Sequence, residues 1–326
     1  MTIVLTQAWN ATATLQRTID SVLAQENCDF EYHIIDSAST DKTWDMILEN
    51  ALKDKRIRPI RKRINKLSSF CDYIQSLLHD PELPDNTTLT IVDADDTLLP
   101  GALETLNKTL KDTGADMACG GVQWEKNGQM QYRYIMDYVF DKEAVARHFD
   151  LVNAHMEPTW GKLYTFWLLR KCDLTLNHKL RCSGDALMVI DIFSHCHKVA
   201  FTGKVVLNYY YAPGSITKRY DIQRFRAMEM VHEAFIRYLE SIGPVSEKNM
   251  KILYKKYYST LLILISQLPG APISSAERLR VAELYMGKEL THEAAASGGV
   301  EEDTMLELQS YVEVLRIAAA PKGEGS

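Results

Sequence analysis

The sequence predicts an α/β fold in which a mostly parallel central sheet is followed by a C-terminal α-helical domain. Strand-like and helix-like segments alternate over the first hundred residues, and this alternation is typical of a parallel sheet covered by helices. Polar residues follow several of the predicted strands, at the edge where open α/β sheets bind ligands. From about residue 221 the pattern changes to consecutive amphipathic helices. We therefore expect an α/β domain over residues 1–218, a helical domain over 221–320 and a frayed tail at 321–326.

In the first half, short apolar or β-branched runs bounded by polar residues predict four strands, at Thr2–Thr6, Tyr32–Ile35, Ile57–Ile60 and Thr87–Val92. Apolar residues at helical spacing predict the helices between them, at Leu15–Gln25, Thr43–Leu52 and Ser69–His79. The middle of the chain is mixed, with strands at Met117–Gln123 and Lys198–Phe201 and helices at Lys142–Phe149, Tyr164–Arg170 and Ala186–His195. The helical domain contains predicted helices at Asp221–Ile242, Ser246–Gln267, Ser274–Tyr285 and Glu301–Ala319.

Composition excludes several classes of protein. The 37 Lys and Arg residues and 43 Asp and Glu residues give a net charge of −6, which provides no basic footprint for nucleic-acid binding. The six cysteines form no Cys-x-x-Cys pair, so zinc fingers and thioredoxin-like motifs have no support. The N-terminus has no basic segment typical of a signal peptide, and no apolar run reaches the roughly 18–20 residues of a spanning helix. We therefore expect a cytoplasmic protein with free thiols.

Three carboxylates occur within four residues at the end of the fourth predicted strand, in Asp93-Ala94-Asp95-Asp96. Like charges this close repel each other unless a cation neutralises them. Hard oxygen ligands suit Mg²⁺ or Mn²⁺, which commonly bridge to substrate phosphates. The alternative is a solvated acidic turn, or a cap for the helix that follows Pro100.

The acidic cluster closes an ordered series of motifs. The series begins with Ile3-Val4-Leu5, Trp9-Asn10 and the helix containing Thr18–Gln25, and continues with Ile34-Ile35-Asp36 before Val92–Asp96. This pattern resembles the family 2 glycosyltransferases, which are inverting enzymes with the GT-A fold that use nucleotide sugars. The resemblance continues through Trp160–Tyr164, Gly184-Asp185, Tyr209–Tyr211 and Gly214–Thr217, and so covers about residues 2–219. It implies a donor half at about 1–100 and an acceptor half at about 101–218.

The resemblance also implies roles for individual residues on the donor side. Asp36 would accept a hydrogen bond from the nucleotide base, beside Ser37, where many relatives carry a second acid. Gln7 and Trp9 would flank the base. Asp93 would face the ribose or a metal-bound water, and Ala94 would line the same loop. Asp95, together with Asp93, would bind the Mn²⁺ or Mg²⁺ ion that bridges the diphosphate. Cys71 stands where relatives carry an arginine, and Lys66 or Arg63 would replace that cation.

On the acceptor side, the resemblance implies that Asp185 is the general base that deprotonates the acceptor hydroxyl. Gly184 replaces the glutamate that usually precedes this aspartate. The alternative for Asp185 is a surface acid that caps the helix Ala186–His195.

The resulting expectation is an enzyme that moves one sugar from a nucleotide-diphosphate sugar, such as a UDP-sugar, to a glycan, lipid-linked or protein acceptor with inversion. The Gln-x-x-Arg-Trp motif of processive polysaccharide synthases does not occur. The apolar stretch Leu261–Ile265 packs within the helical domain, or else contacts a partner subunit or the inner membrane face.

Two other functions stay open. The departures at Cys71 and Gly184 suggest an inactive GT-A domain that serves as a binding module. Asp93-x-Asp95 followed by Thr97 also resembles the nucleophile motif of haloacid-dehalogenase-like phosphatases, in which the first aspartate is phosphorylated and the second is the acid/base.

Overall fold

A computed structural model describes residues 1–64, 67–174, 183–211 and 220–320 of the chain. The chain divides into two compact units, Met1–Ala212 and Pro213–Ser326. The first unit contains a ten-stranded sheet with helices, and the described part of the second unit is helical.

The strands of the first unit are β1 (Thr2–Ala8), β2 (Phe30–Ser37), β3 (Ile57–Lys62), β4 (Thr88–Ile91), β5 (Thr97–Leu98), β6 (Met117–Lys126), β7 (Gln129–Arg133), β8 (Tyr138–Asp141), β9 (Lys162–Thr165) and β10 (Lys198–Tyr209). Their order in the sheet is β3-β2-β1-β4-β9-β6-β10-β5, with β7 paired to β6 and β8 paired to β10. Strands β1 to β4 are parallel, and β6 is parallel to β10. The shorter β9 lies antiparallel between β4 and β6. Because β1, β2 and β4 run in one direction, the loops that follow them meet at one edge of the sheet.

The helices of this unit are α1 (Leu15–Leu23), α2 (Thr43–Lys53), α3 (Leu67–Leu78), α4 (Ala102–Thr113), α5 (Lys142–Arg147), α6 (Phe149–Val152), α7 (Phe166–Leu169) and α8 (Gly184–His195). In α1 the apolar spacing predicted from the sequence places Leu15, Ile19 and Val22 on one fully buried face. That face belongs to the same core as Val4 of β1 and Leu103 of α4. The predicted fold class, an α/β domain with a mostly parallel central sheet and C-terminal helices, is confirmed.

The second unit contains α9 (Gln223–Glu240), α10 (Glu247–Ser266), α11 (Ser275–Met286), α12 (Glu289–Ala296) and α13 (Glu302–Ala319). Leu261, Leu264 and Ile265 of α10 are buried in a core that also contains Val281 and Leu308. The apolar stretch therefore packs within the helical unit at these three residues. Among the described helices, we find none whose length and apolar character would let it cross a membrane.

Two parts of the prediction from sequence need correction. The helix predicted at Tyr164–Arg170 is the end of strand β9 followed by the short helix α7, in which the Thr165 side chain accepts a hydrogen bond from the Leu168 N–H. Tyr164 pairs with Leu89 of β4 on one side and Met117 of β6 on the other, so tertiary pairing overrides the local helical pattern. The predictions also missed β7, β8 and helix α12, which are short elements with weak periodicity. The frayed tail at 321–326 lies outside the described residues.

Candidate active site

The candidate site begins at the edge of the sheet where β1, β2 and β4 end. Ala8, the last residue of β1, is in register with Asp36 of β2. The Gln7 side-chain amide donates a hydrogen bond of 2.7 Å to the Ser37 hydroxyl, so these two predicted site residues are in contact. Trp9 follows β1 directly and is 44% exposed, which leaves its ring available to a ligand.

The loops after β1 and β2 are held together by side chains. The Asn10 N–H donates to the Ser39 hydroxyl at 2.9 Å, and the Asn10 side-chain oxygen accepts from the Thr40 N–H at 2.8 Å. Asn10 and Ala38 have φ angles of 49° and 59°, which is the left-handed region that non-glycine residues rarely adopt. Such conformations persist only where the surroundings determine them, so this edge has a fixed loop geometry.

The Asp36 carboxylate is fully enclosed at the end of β2. One of its oxygens accepts a hydrogen bond from the Ser39 N–H at 3.2 Å. The other oxygen, Oδ2, forms an ion pair with Nε of Arg61 at 3.3 Å but receives no hydrogen bond from any described residue. The Arg61 side chain is half exposed and lies above the Trp44 ring, 5.2 Å from its centroid. A buried carboxylate oxygen without a donor is costly, and a ligand N–H would satisfy it.

Three aspartates follow β4 in a tight loop. Oxygen atoms of Asp93, Asp95 and Asp96 lie within 4.8 Å of one another. The loop is fixed by α1, because the Thr14 hydroxyl donates to the Ala94 carbonyl at 2.9 Å and the Thr18 hydroxyl donates to the Asp96 carbonyl at 2.8 Å.

The charges of this loop are poorly compensated by the protein. Burial raises the pKa of Asp93 to about 7, and the carboxylates of Asp95 and Asp185 act in the same direction. Burial and the nearby Asp93 raise the pKa of Asp96 to about 8. One Asp96 oxygen accepts from the Tyr210 N–H at 3.0 Å, but the other, Oδ2, is buried with no hydrogen-bond partner among the described residues. This set of hard oxygen atoms fits a divalent cation such as Mg²⁺ or Mn²⁺, which would remove the repulsion and satisfy the orphaned oxygen.

Asp185 lies in the first turn of α8, and the structure brings it close enough to Asp93 to raise the pKa of that carboxyl. Burial also raises the pKa of Asp185, with a further contribution from Glu157. Among the described residues Asp185 as a whole is exposed, so a reactant can approach it. Ser183, which precedes the first residue of α8, has a φ angle of 58°, which indicates a constrained turn before the helix. An accessible carboxylate with a raised pKa suits a general base.

Two residues at the site were missed in the sequence. The Arg17 guanidinium donates to the Asp95 carbonyl at 2.6 Å and covers the Tyr210 ring at 4.0 Å, so it is a cation beside the acidic loop. The Glu157 carboxylate, in the loop before β9, helps to raise the pKa of Asp185. Neither residue belongs to a recognisable motif, and only the folded chain brings them to the acids. Cys71 is buried in α3, and Lys66 lies outside the described residues.

Comparison with known proteins identifies the family. The sequence profile of glycosyl transferase family 2 matches residues 3–174, which is more than half of the chain. A curated relative, glycosyltransferase GlyA of Streptococcus pneumoniae, is 21% identical over 259 residues, which are 76% of this chain and 36% of the relative. The chain thus spans about a third of the length of that relative.

Two solved structures share the fold. The structure of S. aureus TarS 1–349 in complex with UDP-GlcNAc has a TM-score of 0.61 and 14% identity, covering 97% of this chain and 91% of that chain. The mannosyltransferase PcManGT from Pyrobaculum calidifontis, in complex with GDP-Man and Mn²⁺, has a TM-score of 0.52 and 14% identity, covering 97% and 86%. The profile match confirms the resemblance that the motifs indicated: this chain belongs to glycosyl transferase family 2.

Proposed function

We propose that this chain transfers a single sugar from a nucleoside-diphosphate sugar, such as a UDP-sugar, to a hydroxyl of a glycan, lipid-linked or protein acceptor, with inversion at the anomeric carbon. The observation that supports the proposal best is the juxtaposition of two groups. The unneutralised acidic loop Asp93–Asp96 lies at the sheet edge, and Asp185 faces it from α8.

On the donor side, Asp95 and Asp93 would hold a Mn²⁺ or Mg²⁺ ion. When bound, this ion supplies positive charge to the diphosphate leaving group. Gln7, Ser37 and Trp9 line the neighbouring edge and would flank the nucleotide base. Ala94 lies between the metal-binding aspartates, where its backbone approaches the donor.

The base contact of Asp36 depends on Arg61. Because Asp36 is enclosed, a base N–H reaches its Oδ2 only when the half-exposed Arg61 side chain turns toward solvent. A cation contributed by Lys66 remains a prediction from the sequence, and Arg17 is a described cation beside the same loop.

For the transfer step, the acceptor hydroxyl gives its proton to the Asp185 carboxylate as its oxygen forms a bond to the anomeric carbon. The bond from that carbon to the diphosphate oxygen breaks on the opposite face, and its electron pair leaves with the nucleoside diphosphate. The carbon therefore inverts. Burial, with a further contribution from Glu157, raises the pKa of Asp185 and makes it a stronger base than an ordinary surface aspartate.

We also propose that residues 1–100 bind the donor and residues 101–218 bind the acceptor, with 221–320 as a separate helical domain. Contact of that domain with a partner subunit or a membrane surface remains a prediction. Truncation after Tyr220 tests it: loss of stability indicates a structural role, and loss of partner or membrane binding alone indicates a docking role.

The test is a panel of nucleotide sugars that includes UDP-GlcNAc and GDP-Man, measured with and without Mn²⁺ by thermal shift and by release of the nucleoside diphosphate. The proposal predicts metal-dependent stabilisation and nucleotide release from at least one donor. Stabilisation without turnover on any acceptor class supports the inactive binding module instead. Hydrolysis of p-nitrophenyl phosphate without nucleotide-sugar turnover supports the phosphatase.

A further inference from the structure

We infer that Cys172, Asp191 and His195 form a second metal site that takes Zn²⁺ or a similar transition-metal ion. One ligating atom from each of the three side chains lies within 4.8 Å of the other two. All three residues are partly buried, and the side chains of His195 and Asp191 are 39% and 18% exposed, so an ion can reach the cluster. None of these residues belongs to the donor site proposed above.

The backbone arrangement suits a metal site. Asp191 and His195 are one turn apart on α8, and this spacing puts both side chains on one face of the helix. Cys172 follows α7 and approaches that face from a different part of the chain. The three ligands therefore come from two elements, and an ion would link them. A water molecule would complete a four-coordinate site.

Hydrogen bonds already orient two of the ligands. The Asp173 N–H donates to Oδ2 of Asp191 at 3.1 Å. Oδ1, the other oxygen of this carboxylate, is then the atom that would bind an ion. Nδ1 of His195 lies 3.0 Å from the Asp191 carbonyl oxygen. The same nitrogen lies 3.8 Å from Oδ1 of Asp191, so the imidazole is beside the carboxylate, and an ion binds the ring nitrogen that carries the lone pair. Such outer contacts fix the orientation of ligands in known metal sites.

The ligand chemistry separates this cluster from the acidic loop. A thiolate, an imidazole and a carboxylate together suit Zn²⁺ or Co²⁺, whereas the all-oxygen set of Asp93, Asp95 and Asp96 suits Mn²⁺ or Mg²⁺. Binding at the cluster displaces the thiol proton of Cys172, which otherwise donates to the Leu168 carbonyl at 3.4 Å. Because α8 begins at Gly184-Asp185, the ion would also fix the helix that carries the proposed base.

Co²⁺ titration of the full chain tests the site, because a thiolate bound to Co²⁺ gives a charge-transfer absorption band. We expect one such band, at one ion per chain, in the wild-type protein. The band should be lost in Cys172→Ser and kept in Cys196→Ser, which removes a buried thiol at the end of the same helix. Asp191→Asn and His195→Gln should weaken the apparent affinity at least about tenfold.

Two further measurements distinguish loss of metal binding at the cluster from misfolding of a variant and from damage to the proposed donor site. Zn²⁺ should raise the unfolding temperature of the wild-type chain and of Asp95→Asn, but not of His195→Gln, whose thiol is intact. Mn²⁺-dependent nucleotide binding should survive in Cys172→Ser. The inference is overturned if the wild-type chain shows no thiolate band, or if the band and the Zn²⁺ shift persist in both Cys172→Ser and His195→Gln.

Discussion

Lys162 is a buried cation of the α/β unit. It opens strand β9, is 2% exposed, and donates hydrogen bonds to the carbonyls of Pro158 at 2.6 Å and Trp160 at 3.3 Å. Burial lowers the pKa of Lys162 to about 8, and the Arg133 guanidinium acts in the same direction. Its unfolded pKa is about 10.4, so the native state releases this proton at a lower pH than the unfolded state does.

The sign of the effect follows from proton binding. Between about pH 8 and 10.4 the unfolded chain holds the lysine proton and the native chain does not, so this group makes the native state more stable as pH rises. From about pH 7 to about pH 10 the gain in free energy of unfolding is on the order of 2–3 kcal/mol. Lys162→Met removes this gain. It also removes the two hydrogen bonds, and their loss lowers the free energy of unfolding by nearly the same amount at both pH values.

The assay is denaturant unfolding of wild type and Lys162→Met at about pH 7 and about pH 10. The difference in free energy of unfolding between wild type and Lys162→Met should move by roughly 2–3 kcal/mol in favour of wild type at the higher pH. Lys204→Met on β10 removes an exposed lysine and should show no such change. If the difference between wild type and Lys162→Met is the same at both pH values, the reasoning about the buried cation is refuted.

Three further predictions concern packing, charge and catalysis. Gly120→Ala should destabilise the chain by about 1–3 kcal/mol, because the new Cβ would lie 2.6 Å from Cγ1 of Val206. The control is Gly243→Ala, where a new Cβ meets no atom within 4 Å. Equal stability of the two variants would contradict the prediction. Without metal, stability should fall as pH rises from about 4 to about 8, because native Asp93 and Asp96 keep their protons up to pKa values of about 7 and about 8, whereas the unfolded chain loses them near about pH 4. Metal binding near about pH 7 should then release on the order of one proton, which calorimetry detects as a binding heat that changes with the ionisation enthalpy of the buffer. A binding heat that is the same in all buffers would contradict this proton release. Asp185→Asn should lower turnover at least about 10²-fold with donor binding retained, and near-normal turnover would move the base to another acid.

The fold was largely predictable because its main strands carry local signals. Strand β4 is an apolar run followed at once by acids, and its sequence predicted both the strand and the loop after it. Strand β10 was predicted only as far as Phe201. Its register against β6 shifts between Phe201 and Leu207, and the half-exposed segment around Gly203 lacks an apolar pattern. Strand β9 was missed because pairing on both sides, rather than its own periodicity, makes it a strand.

The candidate site was predictable where its residues follow strands in sequence. Gln7, Asp36 and the acidic loop belong to this class, because parallel strands bring their ends together. The approach of Glu157 to Asp185 and of Arg17 to Asp95 depends on how distant segments pack, and no local pattern encodes it. The enclosure of Asp36 beneath Arg61 was likewise visible only in three dimensions.

The most direct test of the account is calorimetric titration of UDP into the wild-type chain and Asp95→Asn, each with Mn²⁺ and with a chelator. Asp45→Asn, an exposed aspartate of α2, is the matched control. The account predicts that wild type and Asp45→Asn bind UDP in a Mn²⁺-dependent manner, and that Asp95→Asn loses at least about tenfold in affinity while keeping its unfolding temperature. Equal Mn²⁺-dependent binding by Asp95→Asn and wild type would contradict the claim that the acidic loop holds the donor through a metal ion.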